Sequence, residues 1–72
     1  METYVAKELA AIESRIAVRD GLIKELSDRA TQAIKDGAPE EFALWEAVQA
    51  LADANIADRT TIMDVLREEG QA

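Results

Sequence analysis

A chain of 72 residues with no histidine, no cysteine and a net charge of −7 lacks the side chains most often used to shuttle protons near neutral pH, attack as thiolates, ligate zinc or form disulfides. Without a disulfide, a chain this short buries only about 60% of the surface its unfolded form exposes, so it is marginal alone and gains stability by associating. No apolar run approaches the roughly 18 residues that span a bilayer, and Met1-Glu2-Thr3 opens without the basic start and apolar core of a signal peptide. A cytoplasmic protein with no membrane partner is expected.

From Val5 onward the apolar residues fall at Val5, Leu9, Ile12, Ile16, Ile23, Leu26 and Ala30, with Arg19 occupying one slot. Alternating steps of four and three are the signature of a heptad seam and predict a first helix over about residues 2–35. Val18, Leu22 and Ile34 lie beside this seam and widen the apolar face beyond what a two-stranded coiled coil uses. Gly21 weakens the middle of the helix by ~1 kcal/mol relative to Ala without ending it, and a bend is expected near Asp20-Gly21.

The strong break is Asp36-Gly37-Ala38-Pro39, which predicts a turn over 36–39. Lys35 suits the negative end of the helix dipole, Gly37 can take the left-handed conformation just past the helix, and Pro39 fits the first position of a second helix, with Glu40 and Glu41 in its first turn. That helix is expected over about 40–69, with Gly70-Gln71-Ala72 frayed. It carries two adjoining apolar stripes. One runs through Trp45, Val48, Ala52, Asn55, Arg59, Ile62 and Leu66, the other through Leu44, Val48, Leu51, Asp58, Ile62 and Val65, and Phe42, Ile56 and Met63 widen the face.

These elements predict an all-α, single-domain, two-helix antiparallel hairpin. A lone hairpin cannot enclose two stripes per helix, so dimerisation into a four-helix bundle is expected, one stripe serving the intramolecular contact and the other the dimer. The expected core and dimer residues are Leu9, Ile12, Ile16, Ile23, Leu26, Trp45, Val48, Leu51, Ile62 and Leu66. A turn centred near Gly37 and Ala38 sets residues level when their numbers sum to about 75, so Leu9 faces Leu66 and Trp45 faces Ala30. Trp45 is placed in the core on this reading, with a partner-binding anchor as the alternative. The same register sets Arg15, Arg19 and Asp20 beside Asn55, Asp58 and Arg59. A polar layer of Arg19, Asn55 and Arg59 either fixes register and oligomeric state or forms a notch for a ligand or partner.

Charge is divided unevenly. Residues 1–36 carry seven acids against six bases, whereas residues 37–72 carry eight acids against Arg59 and Arg67. Direct nucleic-acid binding is disfavoured, because phosphate contacts need a basic face. A protein partner with a basic surface fits better, met by Glu46, Asp53 and Asp64, or else the acidic helix serves solubility. No catalytic, cofactor-binding or metal-binding set is expected: carboxylate-rich di-iron bundles use Glu-x-x-His pairs, and there is no Gly-rich phosphate loop and no Ser beside a base.

Ile12 to Val18 with Ile23 to Leu26 resembles the opening of short coiled-coil proteins of the SlyX type, a likeness that ends at Leu26, since those proteins have no Gly-x-Pro hairpin. Ala50-Leu51, Asp53-Ala54, Ile56-Ala57 and Arg59 resemble the second helix of a small phage-encoded quorum-sensing anti-activator that forms a dimeric helical hairpin. That resemblance implies a compact acidic protein of a phage or prophage that binds and disables a host protein. A structural or adaptor subunit and a nucleic-acid mimic are the alternatives.

Overall fold

A computed structural model describes the backbone of residues 3–71 and the side chains of residues 3–70. The described chain is all-helical: α1 spans Thr3–Asp36 and α2 spans Glu41–Gln71, packed against each other as a hairpin. Its long axis is 55 Å, close to the ~51 Å that 34 straight helical residues would occupy. α1 therefore runs through Gly21 without a sharp kink.

The turn is built on backbone geometry that only a few residue types supply. Gly37 takes φ = 67°, the left-handed region, and there the amides of Gly37 and Ala38 turn back to donate to the carbonyls of Ile34 at 3.1 Å and Ala33 at 2.8 Å. This pair of bonds is a Schellman cap and satisfies carbonyls that the end of α1 would otherwise leave unpaired. Ala33 is buried beneath it.

α2 begins one residue later than the sequence suggests. Pro39 lies in the connecting turn, not at the first helical position: the Glu41 amide reaches back to the Ala38 carbonyl at 3.5 Å, and Glu40 carries the carbonyl that accepts the first intrahelical bond, from Leu44 at 3.0 Å. Proline's fixed φ suits the second position of a turn as well as it suits a helix start. At the other end the helix continues through Gly70 and Gln71, where fraying was expected. Ala72 and residues 1–2 lie outside the described residues.

The interior is a line, not a volume. Among the described residues, Leu9, Ile12, Ala30 and Ala33 are the buried apolar residues of α1, and Asn55 alone is buried on α2. Ile16, Ile23 and Leu26, with Leu44, Val48, Leu51, Ile62 and Val65, lie half-buried along the same seam.

The two glycines make opposite predictions for one substitution. Gly37→Ala forces a Cβ into the left-handed region and should destabilise by ~1–2 kcal/mol. A Cβ at Gly21 meets no atom within 4 Å, so Gly21→Ala should stabilise by ~0.5–1 kcal/mol through backbone entropy. Chemical denaturation of the two variants at one protein concentration checks both signs.

Candidate functional site

The hairpin brings the central polar residues into one cross-helix cluster. Arg15 donates to Asp58 through Nε to Oδ2 at 3.4 Å and through Nη2 to Oδ1 at 3.3 Å, and Arg19 Nη1 donates to the same Oδ2. Asn55 Nδ2 donates to Asp20 Oδ1 at 2.9 Å, and Arg59 Nη2 lies 3.6 Å from Asp20 Oδ2. Asn55 and Asp20 sum to 75, the register that the turn position implies.

Burial grades the cluster. Asn55 is 1% exposed, and its Oδ1 is the one buried side-chain oxygen or nitrogen without a hydrogen-bond partner among the described residues. The Arg19 and Asp58 side chains are shielded, while Arg15, Asp20 and Arg59 are half open to solvent. Hydrogen bonds from Arg15 and Arg19 hold the Asp58 carboxyl below its ordinary value of 3.8, their charges adding to the effect and partial burial opposing it. The arginines of the cluster are held in ion pairs with Asp58 and Asp20.

Two of the residues expected in the core or the dimer contact are not enclosed by the single hairpin. Trp45 and Leu66 are 41% and 47% exposed, so the hairpin does not enclose them, and the expected Leu9–Leu66 and Ala30–Trp45 packing is not a closed core. The seam of α2 follows Leu44, Val48, Leu51, Asn55, Asp58, Ile62 and Val65. Trp45, Ala52, Arg59 and Leu66 each come one residue after a seam position, a step of ~100° around the helix. With Phe42, Ile56 and Met63, all more than half exposed, they form an apolar stripe along one flank of α2.

The outer line of α2 is different in kind. Glu46, Asp53 and Asp64 are exposed. Asp53 accepts a hydrogen bond from Gln49 at 2.9 Å, and Asp64 pairs with Arg67 at 3.4 Å, which offsets part of its charge. Among the described residues, neither Glu46 nor Asp53 forms an ion pair. Beside the turn lies an open groove of about 500 Å³ whose lining includes Arg29, Asp36, Glu40, Ala33 and Leu44.

Sequence reasoning singled out Arg19, Asn55 and Arg59 for the layer, but Asp58 is its hub. The signal was present in the heptad spacing, since Asp58 occupies a seam position among aliphatics. Among the described residues no helix is long and apolar enough to cross a membrane, and no group of three His, Cys, Asp or Glu side chains is placed to hold a metal ion. No protein-family model, curated protein or solved structure matches the chain.

Asn55→Leu removes a buried carbonyl oxygen that lacks a donor and should raise stability by ~1–2 kcal/mol, seen as a higher denaturation midpoint. A fall of that size would mean the amide is worth more than its burial costs. Asp58 has a depressed folded-state pKa, so its contribution is complete above the unfolded value and is lost as pH falls through the folded one. The gap in thermal midpoint between the parent and Asp58→Asn should be constant above about pH 5 and shrink below about pH 4. A gap that widens in acid would contradict the assignment.

Proposed function

We propose that the chain is a non-enzymatic protein–protein interaction module, a homodimeric four-helix bundle that offers the outer face of α2 to a protein with a basic surface. The observation that supports this reading is the line of exposed carboxylates, Glu46 and Asp53, with Glu40 in the turn just before the same helix and no cation paired to Glu46 or Asp53 among the described residues. A row of fixed negative charge steers oppositely charged partners and repels nucleic acid. The most concrete form is a small inhibitor, of the kind carried by phages and other mobile elements, that covers a regulator's DNA-binding face or a nucleic-acid channel. The likeness of Ala50 to Arg59 to a phage-encoded anti-activator points the same way.

The exposed apolar stripe favours one second reading. Were Phe42, Trp45 and Leu66 covered by a different protein, the chain would be a structural or adaptor subunit held by apolar contact. Salt separates the two, because a charge-driven contact weakens as ionic strength rises and an apolar one does not.

Light scattering after size exclusion should give twice the 7.9 kDa chain mass, and a monomer persisting at tens of micromolar would remove the bundle. Exposed single charges contribute within about 0.5 kcal/mol to folding, so the double variant Glu46→Lys, Asp53→Lys should keep its helical signal and its mass. Against a partner captured from host extract and then purified, the same variant should associate at least tenfold more slowly at low salt. Undiminished binding would assign the carboxylates to solubility and favour the adaptor.

A further inference from the structure

The two flanks of the hairpin seam differ in charge and in relief. On the flank where Asp20 meets Arg59, the charged residues at positions bordering the seam or one step outside it are Glu13, Asp20, Lys24 and Arg59, which cancel, although the chain as a whole carries −7. On that flank α2 supplies the bulk: Phe42, Trp45, Ile56, Met63 and Leu66 are 41–74% exposed. α1 supplies small residues there over its first half, Ala6, Ala10 and Ala17, all exposed, and Ile34, 51% exposed, near the turn.

The geometry points to this neutral flank as the seat of a second copy of the chain, with a two-fold axis parallel to the helices, so that both turns lie at the same end and α1 of each copy lies on α2 of the other. The inference rests on the dimer reading and adds its face and its direction. Area agrees: a flank bounded by the 55 Å and 16 Å extents of the hairpin offers about 900 Å², near the ~800 Å² per partner of a standard interface. Charge agrees as well. Two copies of a strongly acidic chain meet with least repulsion where the surface is neutral.

Relief selects the direction. With the turns together, residues level within a hairpin are also level between copies, so Ala10 lies between Met63 and Leu66 of the second copy, and Ala17 lies beside its Ile56. Bulk then fills the room left by alanine along the first half of α1, as close packing requires. Arg59 comes within about one helical turn of Glu13 of the second copy. With the turns at opposite ends, α2 would lie on α2 and α1 on α1. Bulk would meet bulk on one side, alanine would meet alanine on the other, and the two Asp20 carboxylates would approach each other across the axis. A bundle so arranged is wedged open along α1.

The chain has no cysteine, so a spin label can be placed at one chosen site of the full-length protein. Lys35→Cys near the turn and Lys7→Cys near the open end both lie on the exposed back of α1. Pulsed dipolar spectroscopy on each singly labelled protein should give distances of about 20–30 Å at both sites if the turns lie together. Distances beyond about 40 Å at both sites would overturn the direction and leave the dimer standing. Absence of any dipolar coupling at 100 µM protein, a concentration set by the experiment and roughly that where a ~10 µM dimer is mostly formed, would overturn the dimer itself. The face is tested separately. Ile56 and Val18 are equally exposed, at 61% and 62%, on opposite flanks, so a lysine at either should spare the hairpin. Ile56→Lys should raise the dimer dissociation constant at least tenfold and Val18→Lys should leave it within about a factor of two; the reverse order would move the interface to the other flank.

Discussion

Two helices lying side by side touch along a line, and that geometry limits everything else in this protein. Each helix can turn only a narrow arc of its surface inward, whatever its composition. Nearly half of this chain is hydrophobic, yet among the described residues the hairpin buries four apolar side chains, two of them alanine. The remaining aliphatic and aromatic surface stays in contact with water, at ~25 cal/mol for each Å² left unburied. Association is the physical outlet for that surface, and the contact line decides which part of it is left to associate. The proposed dimer turns a line into a core: four helices enclose a volume, where two enclose only a seam.

The polar cluster at the centre of the seam is what the line cannot rearrange freely. A slip of one heptad along an aliphatic seam would exchange one leucine or isoleucine for another with little loss. The same slip would carry Asn55 away from Asp20 and leave Arg15 and Arg19 without Asp58. Ions that are paired in one register and stranded in every other raise the free energy of the alternatives more than they lower that of the native state. Asn55 illustrates the trade: one amide hydrogen is satisfied and the carbonyl oxygen is not, so leucine would be the more stabilising residue there and the less selective one.

How much of this was legible in the sequence follows from the same physics. The turn could be placed because Gly37 must supply a positive φ and Pro39 cannot continue a helix, and once the turn is placed the register is arithmetic. Helix ends were legible only to a residue or two, because proline serves equally as the second residue of a turn and the first of a helix. The phase of α2 was harder. Its two apolar stripes adjoin and share Val48 and Ile62, so hydrophobic spacing alone does not choose between them. The polar residues do. Rotating α2 to bury Trp45, Arg59 and Leu66 would swing Arg59 toward Arg15 and Arg19 and turn Asp58 to solvent, setting three cations together. Burying the Leu44, Leu51 and Asp58 stripe instead gives the cations their carboxylate. The decisive information sat in the charges, not in the hydrophobic pattern.

Once the phase is fixed, the surface divides by purpose without any further ordering. The flank beside Asp20 and Arg59 is neutral and apolar, while the outer line of α2 carries Glu46 and Asp53. In the proposed dimer each copy brings −7, so the assembly carries a field that opposes its own formation at distances beyond the neutral contact. Screening over the ~8 Å Debye length of physiological salt relieves that opposition. Salt therefore acts in opposite senses on the two proposed contacts: it favours the union of two acidic copies through their neutral flanks and weakens the attraction of a basic partner to the outer carboxylates. Two interfaces on one small helix can in this way be tuned separately, because one depends on burying apolar surface and the other on leaving charge exposed.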